Sequence, residues 1–185
     1  MSVTANGKMT VAVLGAGSNG AGKIPVLRTS PCVGEILAYD IRPERVAELR
    51  SRGIAATTDL GSILGNPAVR LAFVCSSNDA HKDLTVRALE AGKAVLCEKP
   101  MATCLADAQV MVETARRCRG FLQIGFELRY STLYVTVKEW IDRGLLGQVV
   151  NVYGTYLASA FPKGTWKTTK AGTGGMYAEK LCHYV

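Results

Sequence analysis

The 185-residue sequence predicts an α/β fold, a doubly wound parallel sheet with helices on both faces. Three observations predict it. Short apolar runs alternate with stretches of helical periodicity through the first two thirds of the chain. The early runs are almost wholly apolar, as strands buried on both faces should be. The first run leads straight into a glycine-rich turn, GAGSNG (15–20), and then into a helical stretch.

The elements follow in order. TVAVLG (10–15) predicts the first strand and 18–29 the first helix. EILAYD (35–40) is the second strand. The helix over 43–52 has Pro near its start, apolar residues at helical spacing and Gly just past its end. GIAATT (53–58) is a weaker strand, and LAFVCS (71–76) a strong one. DAHKDLTVRALEAG (79–92) opens on Asp and closes on Gly, as a helix would. AVLCE (94–98), a helix over 105–118, FLQIGF (121–126) and a helix over 131–143 complete the alternation. After Gly147 the pattern changes. QVVNVYGTYLASA (148–160) is longer, more polar and in places alternating, and predicts an antiparallel strand exposed on one side. Residues 1–124 are therefore expected to form one domain. Residues 125–185 are expected to begin an α+β domain with an open, mostly antiparallel sheet.

Composition narrows the function classes. Apolar residues are 48% and charged residues 20%, ordinary for a soluble globular protein. The opening MSVTANGKMT carries no apolar signal segment, and no apolar stretch approaches membrane-helix length. A cytoplasmic location with no membrane partner is expected. The net charge of +7 would attract an anionic cofactor or substrate as readily as nucleic acid. The densest cluster, RRCR (116–119), sits at a predicted helix end, where cations complement the dipole. With no nucleic-acid motif beside it, no nucleic-acid partner is expected. The six cysteines, at 32, 75, 97, 104, 118 and 182, include no C-x-x-C pair. Cys75 and Cys97 lie in strand-like runs and read as reduced core residues. Two histidines far apart in sequence give no expectation of a metal site.

The glycine turn admits two readings. Gly17, Gly22 and Lys23 nearly fit a triphosphate-binding loop, but Ile24 and Pro25 stand where that loop needs a hydroxyl for magnesium. Gly15, Gly17 and Gly20 fit G-x-G-x-x-G, the dinucleotide fingerprint, and Asp40 closes the second strand 20 residues after Gly20. There its carboxylate would accept hydrogen bonds from an adenosine ribose. Gly15 permits the tight turn, Gly17 lets the backbone approach pyrophosphate, and Gly20 lets the helix pack on the strand. The phosphates would meet unpaired N–H groups at the helix N-terminus. The ordered set of strand, glycines, helix, strand and acid selects a Rossmann domain over the triphosphate loop. Asp40 favours NAD by repelling a 2′-phosphate. Arg42 leaves NADP possible, because a nearby guanidinium can hold that phosphate.

Three further stretches carry candidate chemistry. SSNDAH (76–81) and CEKP (97–100) leave their strands at the carboxyl edge, where ligands of such sheets bind. In GTGGMYAEKLCHYV (172–185), Glu179 and His183 are four apart and would share one helix face. An acid beneath a histidine can orient the ring and raise its basicity.

Taken together, these stretches resemble the glucose–fructose oxidoreductase, inositol dehydrogenase and MocA family of nicotinamide-dependent oxidoreductases. GAGSNGAGKIPVLR resembles its opening. LAFVCSSNDAHKDLTVRALEAGKAVLCEKPMA resembles its most specific block. GFELRYST and DRGLLGQVVNVYG resemble the transition to its second domain, and GTGGMYAEKLCHYV the turn before its catalytic histidine. The resemblance implies hydride transfer between a nicotinamide and a secondary alcohol of a sugar, inositol or similar polyol. It implies Lys99 at the substrate hydroxyl, His183 as acid–base, and Glu179 in place of the usual Asp. Arg129 and Tyr130 would line the substrate side, and the bond before Pro100 would be cis. Lys23, where the family often has histidine, receives no role. The implied cofactor set is Gly15, Gly17, Ser18, Asn19, Gly20, Asp40, Ile41, Arg42, Ser76, Ser77, Asn78, His81, Glu98 and Lys99. A homo-oligomer formed through the second domain is implied. The sequence stops two residues after His183, so a fragment is expected. If the 185 residues were the whole molecule, cofactor binding without efficient turnover would follow. A non-catalytic dinucleotide-binding module and an NAD-using glycosidase on the same scaffold remain as alternatives.

Overall fold

The computed structural model describes residues 7–155, 157 and 164–183. Six strands form one sheet: β1 (Met9–Leu14), β2 (Val33–Tyr39), β3 (Ala55–Thr57), β4 (Val69–Val74), β5 (Ala94–Glu98) and β6 (Leu122–Gly125). All pair in parallel, in the order β3-β2-β1-β4-β5-β6. The chain winds outward from β1 in one direction, then returns to β1's other side at β4. The crevice between the carboxyl ends of β1 and β4 is the switch point where such sheets bind ligands.

Strand alternation divides the core between two helical layers. On one face, Val13 and Ala38 pack with Ala21 and Ile24 of α1 (Ser18–Thr29) and Val46 and Leu49 of α2 (Pro43–Ser51). On the other face, Ala12, Leu14, Ala72 and Val74 meet three helices: Leu60, Ile63 and Leu64 of α3 (Leu60–Leu64), Leu84, Ala88 and Leu89 of α4 (His81–Glu90), and Met111 of α5 (Leu105–Arg117). Residues from Val11 to Leu14 are wholly buried, which explains their continuous apolar run. Burial also pushes the Cys75 and Cys97 thiols up to about 12, so both stay protonated core side chains.

The strands and helices predicted over residues 1–143 are present, with ends moved by no more than two residues. A 3-10 turn over Asn78–Ala80 precedes α4. The five-residue α3 was not anticipated. It is nucleated by Asp59, whose carboxylate accepts from the Gly61 N–H at 2.8 Å. The strand expected over 148–160 is not formed by the described part of that stretch. Its described residues, 148–155 and 157, are exposed and have no regular structure. A strand needs a hydrogen-bonding neighbour, and none lies beside it among the described residues. The remaining positions of that stretch, 156 and 158–160, lie outside the described residues. No second sheet forms among the described residues. After β6 come a 3-10 turn (Glu127–Tyr130), α6 (Thr132–Asp142), a 3-10 turn (Trp166–Thr168), α7 (Lys170–Thr173), α8 (Met176–Glu179) and a last 3-10 turn (Leu181–His183). Among the described residues, no helix is long and apolar enough to cross a membrane.

The ends of α4 and α5 use the same closure with different residues. After α4, Gly92 takes φ +72° and Lys93 N–H bonds the Ala88 carbonyl at 2.9 Å. After α5, exposed Arg119 takes the left-handed conformation at φ +48°, and Gly120 N–H bonds the Ala115 carbonyl at 2.9 Å. A side chain in that conformation is strained where glycine is not. Arg119→Gly is therefore expected to raise stability by about 0.5–1 kcal/mol in urea melts. Gly120→Ala is expected to lower it, because the added methyl would lie 2.9 Å from Leu89.

Candidate active site

The turn from β1 into α1 is dictated by two close approaches. Gly15 has φ +90°, and a Cβ there would sit 2.5 Å from the Ser76 backbone. A Cβ on Gly20 would sit 2.0 Å from the Gly15 carbonyl oxygen. Gly17 differs: a Cβ there would meet nothing within 4 Å. It borders open space, where a pyrophosphate could come against the backbone. Gly17 is the N-cap of α1, and no side chain caps that end, so the helix presents its N-terminal amides and positive dipole to the crevice. These features fit the dinucleotide that the motif implies.

Asp40 holds the turn from β2. Its Oδ2 accepts from the Ala16 N–H at 3.0 Å, and its Oδ1 accepts from the Arg42 N–H at 3.1 Å. Arg42 adds two side-chain bonds, Nε to Oδ1 at 2.9 Å and Nη2 to Oδ2 at 3.2 Å. Burial by itself would raise the Asp40 pKa. The Arg42 hydrogen bonds and charge, with the Ala16 amide, outweigh burial and hold it below the usual carboxylate range. From α2, Arg45 Nε donates to the Ala16 carbonyl at 2.6 Å. The Ala16 peptide is thus gripped at both its polar groups.

A crevice of about 740 Å³ opens over this turn. Its lining takes Gly15, Gly17, Ser18 and Asn19 from the turn, and Asp40, Ile41 and Arg42 from the end of β2. Ser76, Ser77, Asn78 and His81 come from the segment after β4, and Glu98 and Lys99 from the end of β5. Glu179 lines it as well. Gly20 lies buried behind the turn.

Opposite charges pair around the crevice floor. Lys23 of α1 forms an ion pair with Glu98. Burial would lower the Lys23 pKa, but the hydrogen bond and charge of Glu98 overcome it and raise it. Lys99 Nζ donates to the Glu179 carbonyl at 3.1 Å and lies 3.6 Å from its carboxylate. Asn78 Nδ2 donates to Glu179 Oε2 at 2.6 Å. His81 is buried, its Nδ1 is 2.8 Å from the Pro100 carbonyl, and the Lys99–Pro100 bond is cis. Because a carbonyl only accepts, Nδ1 carries the proton.

One expectation needs correction. Glu179 does not face His183. Helix α8 stops at Glu179 and residues 181–183 form a 3-10 turn, so the four-residue spacing no longer stacks the two side chains. The Glu179 carboxylate instead meets the stronger donors Asn78 and Lys99. His183 Nε2 lies 3.6 Å from Glu127, with the Phe126 ring edge-on at 5.9 Å. Arg129, Tyr130 and His183, expected at the substrate, are not among the residues that line this crevice. Arg129 stacks on Phe126 at 5.4 Å, and Tyr130 is 72% exposed and accepts from Gln123 at 2.9 Å. Sequence reasoning missed Trp166 and Lys167, which also line the crevice. A lone aromatic beside a base in a Thr- and Gly-rich stretch carries no periodicity. It also missed Lys23 and Arg45, whose partners lie 75 and 29 residues away.

Residues 9–126 match the family described as an oxidoreductase family with an NAD-binding Rossmann fold, GFO_IDH_MocA. The chain belongs to this family. Inositol 2-dehydrogenase from Streptomyces avermitilis is 34% identical over 158 residues, covering 83% of this chain and 46% of that protein. Inositol 2-dehydrogenase from Salmonella typhimurium is 39% identical over 115 residues, covering 61% of this chain and 34% of its own length. An NAD-binding protein from Listeria innocua superimposes with a TM-score of 0.78 at 25% identity, over 95% of this chain and 52% of that one. The chain therefore spans between a third and a half of these two curated relatives. As a member of the Gfo/Idh/MocA family it takes NAD as its cofactor.

The buried imidazole gives a pH test. Burial lowers the His81 pKa below its ordinary 6.5, although the Pro100 carbonyl bond opposes this. As pH falls through 6.5 the unfolded chain takes up the proton first, so stability drains below that value. Melts between pH 7 and 5 should show this loss. His81→Gln, less stable at pH 7, should show a shallower slope.

Proposed function

We propose that the chain forms the cofactor-binding part of an NAD-dependent dehydrogenase acting on a secondary alcohol of a polyol, an inositol being the leading candidate. One observation carries the reading: the Lys99 ammonium stands at the end of β5, on the same crevice as the glycine turn and Asp40, braced by Glu179 and the Asn78 amide. The names of the relatives, inositol 2-dehydrogenases, supply the substrate class.

The family resemblance supplies the roles, and the positions of Asp40 and Lys99 on the crevice support theirs. Amides at the head of α1 receive the pyrophosphate, and Asp40 faces the adenosine ribose. The nicotinamide, when bound, supplies the hydride acceptor. Lys99 donates to the substrate hydroxyl oxygen and stabilises the alkoxide character that grows as its proton leaves. His183, which lies outside the crevice lining with its Nε2 3.6 Å from Glu127, is the acid–base that the resemblance implies and would take that proton. Glu179 acts on the lysine, fixing its ammonium toward the crevice. A domain boundary near residue 125, with the following residues giving substrate contacts and a homo-oligomer interface, belongs to the same proposal.

The test is absorbance at 340 nm, over a panel of inositols and sugars, on the full-length enzyme of which this chain is the proposed cofactor-binding part. NADH should accumulate with at least one polyol. Lys99→Ala should lower kcat/KM by at least about a hundredfold while NAD affinity stays within about twofold. Product release without NADH would instead mark a glycosidase. NAD binding with no turnover of any polyol would mark a non-catalytic module.

A further inference from the structure

Lys23 completes the near-match to a triphosphate loop, where a lysine would reach the phosphates. Here it does not reach the crevice: it is not among the residues that line it. Its ammonium is paired with Glu98, which does line the crevice and whose side chain is only 12% exposed. Lys99, the next residue, pairs with Glu179 instead. At the end of β5 each carboxylate thus has its own cation. Burial disfavours the Lys23 ammonium, and the hydrogen bond and charge of Glu98 outweigh it, so the pair stays charged.

A dinucleotide bound in such a sheet crosses the switch point. With its adenosine at Asp40 and its pyrophosphate at the head of α1, its other half comes to the ends of β4 and β5, where Glu98 and Lys99 stand. The nicotinamide ring is cationic when oxidised and neutral when reduced. A bare carboxylate on that wall would hold the oxidised form in preference, and would oppose hydride transfer by stabilising the charge that the transfer removes. We propose that Lys23 sets the balance between oxidised and reduced cofactor, by cancelling the charge of Glu98 from behind the crevice wall. It is a positioning and charge-compensating residue that touches no ligand itself. The proposal rests on the dinucleotide site above but not on the identity of the alcohol substrate.

Calorimetric titrations of the full-length enzyme with NAD⁺ and with NADH test it without turnover. At about pH 8, carboxylates are ionised and lysines protonated, and the ratio of the two affinities is the readout. In Lys23→Met the ratio should move at least about threefold toward NAD⁺ relative to wild type. In Glu98→Gln, which leaves the lysine bare, it should move toward NADH. The double variant should return to within about twofold of wild type, and Lys23→Arg, which keeps the charge, should not move the ratio. A contact that only braces the fold would weaken both cofactors alike; an unmoved ratio in Lys23→Met therefore overturns the proposal. So does movement of both single variants in one direction. If thermal melts show that Lys23→Met does not fold, the direction of the Glu98→Gln shift decides. Binding of neither cofactor to the wild type would overturn the dinucleotide site and this proposal with it.

Discussion

Every feature of the crevice depends on how tightly the chain turns between β1 and α1. The turn brings the Gly15 backbone against Ser76 and the Gly20 backbone against the Gly15 carbonyl, with no room for a side chain at either place. That closeness sets the head of α1 over the carboxyl ends of β1 and β4 and leaves its amides facing the opening. The turn is then held by charge: Asp40 at the Ala16 N–H and Arg45 at the Ala16 carbonyl. Steric exclusion gives the shape, and two long-range polar contacts keep it.

Around that turn the charged side chains are arranged as pairs. Lys23 answers Glu98, Arg42 answers Asp40, and Lys99 with Asn78 answers Glu179. Buried ions left alone would be costly, and each pairing offsets much of that cost. The pairs also fix position. Glu98 and Lys99 are neighbours in sequence, yet the first is drawn toward α1 and the second toward Glu179. The end of β5 is therefore anchored from two sides, which suits a lysine that must hold one orientation toward a substrate hydroxyl.

Much of this was legible in the sequence because it is local. Continuous apolar runs mark strands buried on both faces, and Gly15, Gly17, Gly20 and Asp40 form a spaced pattern with a physical reason at each position. The EKP stretch stood out because charge directly after a buried strand is unusual. What escaped was either short or distant. Helix α3 is only five residues long and is specified mostly by the Asp59 cap. The Asn78–Glu179 contact joins residues 101 apart, and no local pattern encodes it. The Glu179–His183 pairing failed because a single turn of 3-10 geometry breaks the helical spacing on which it relied. The alternation in 148–155 is genuine, but pairing with a neighbour, not alternation, makes a strand.

The central claim is that a pyrophosphate rests on the open amides at the head of α1, with the adenosine sugar at the end of β2. A crystal structure of the chain with NAD tests it most directly. The account predicts phosphate oxygens within hydrogen-bond distance of backbone N–H groups between Gly17 and Gly20, and the adenosine ribose beside Asp40. NAD bound elsewhere, or this crevice empty at saturating NAD, would contradict it.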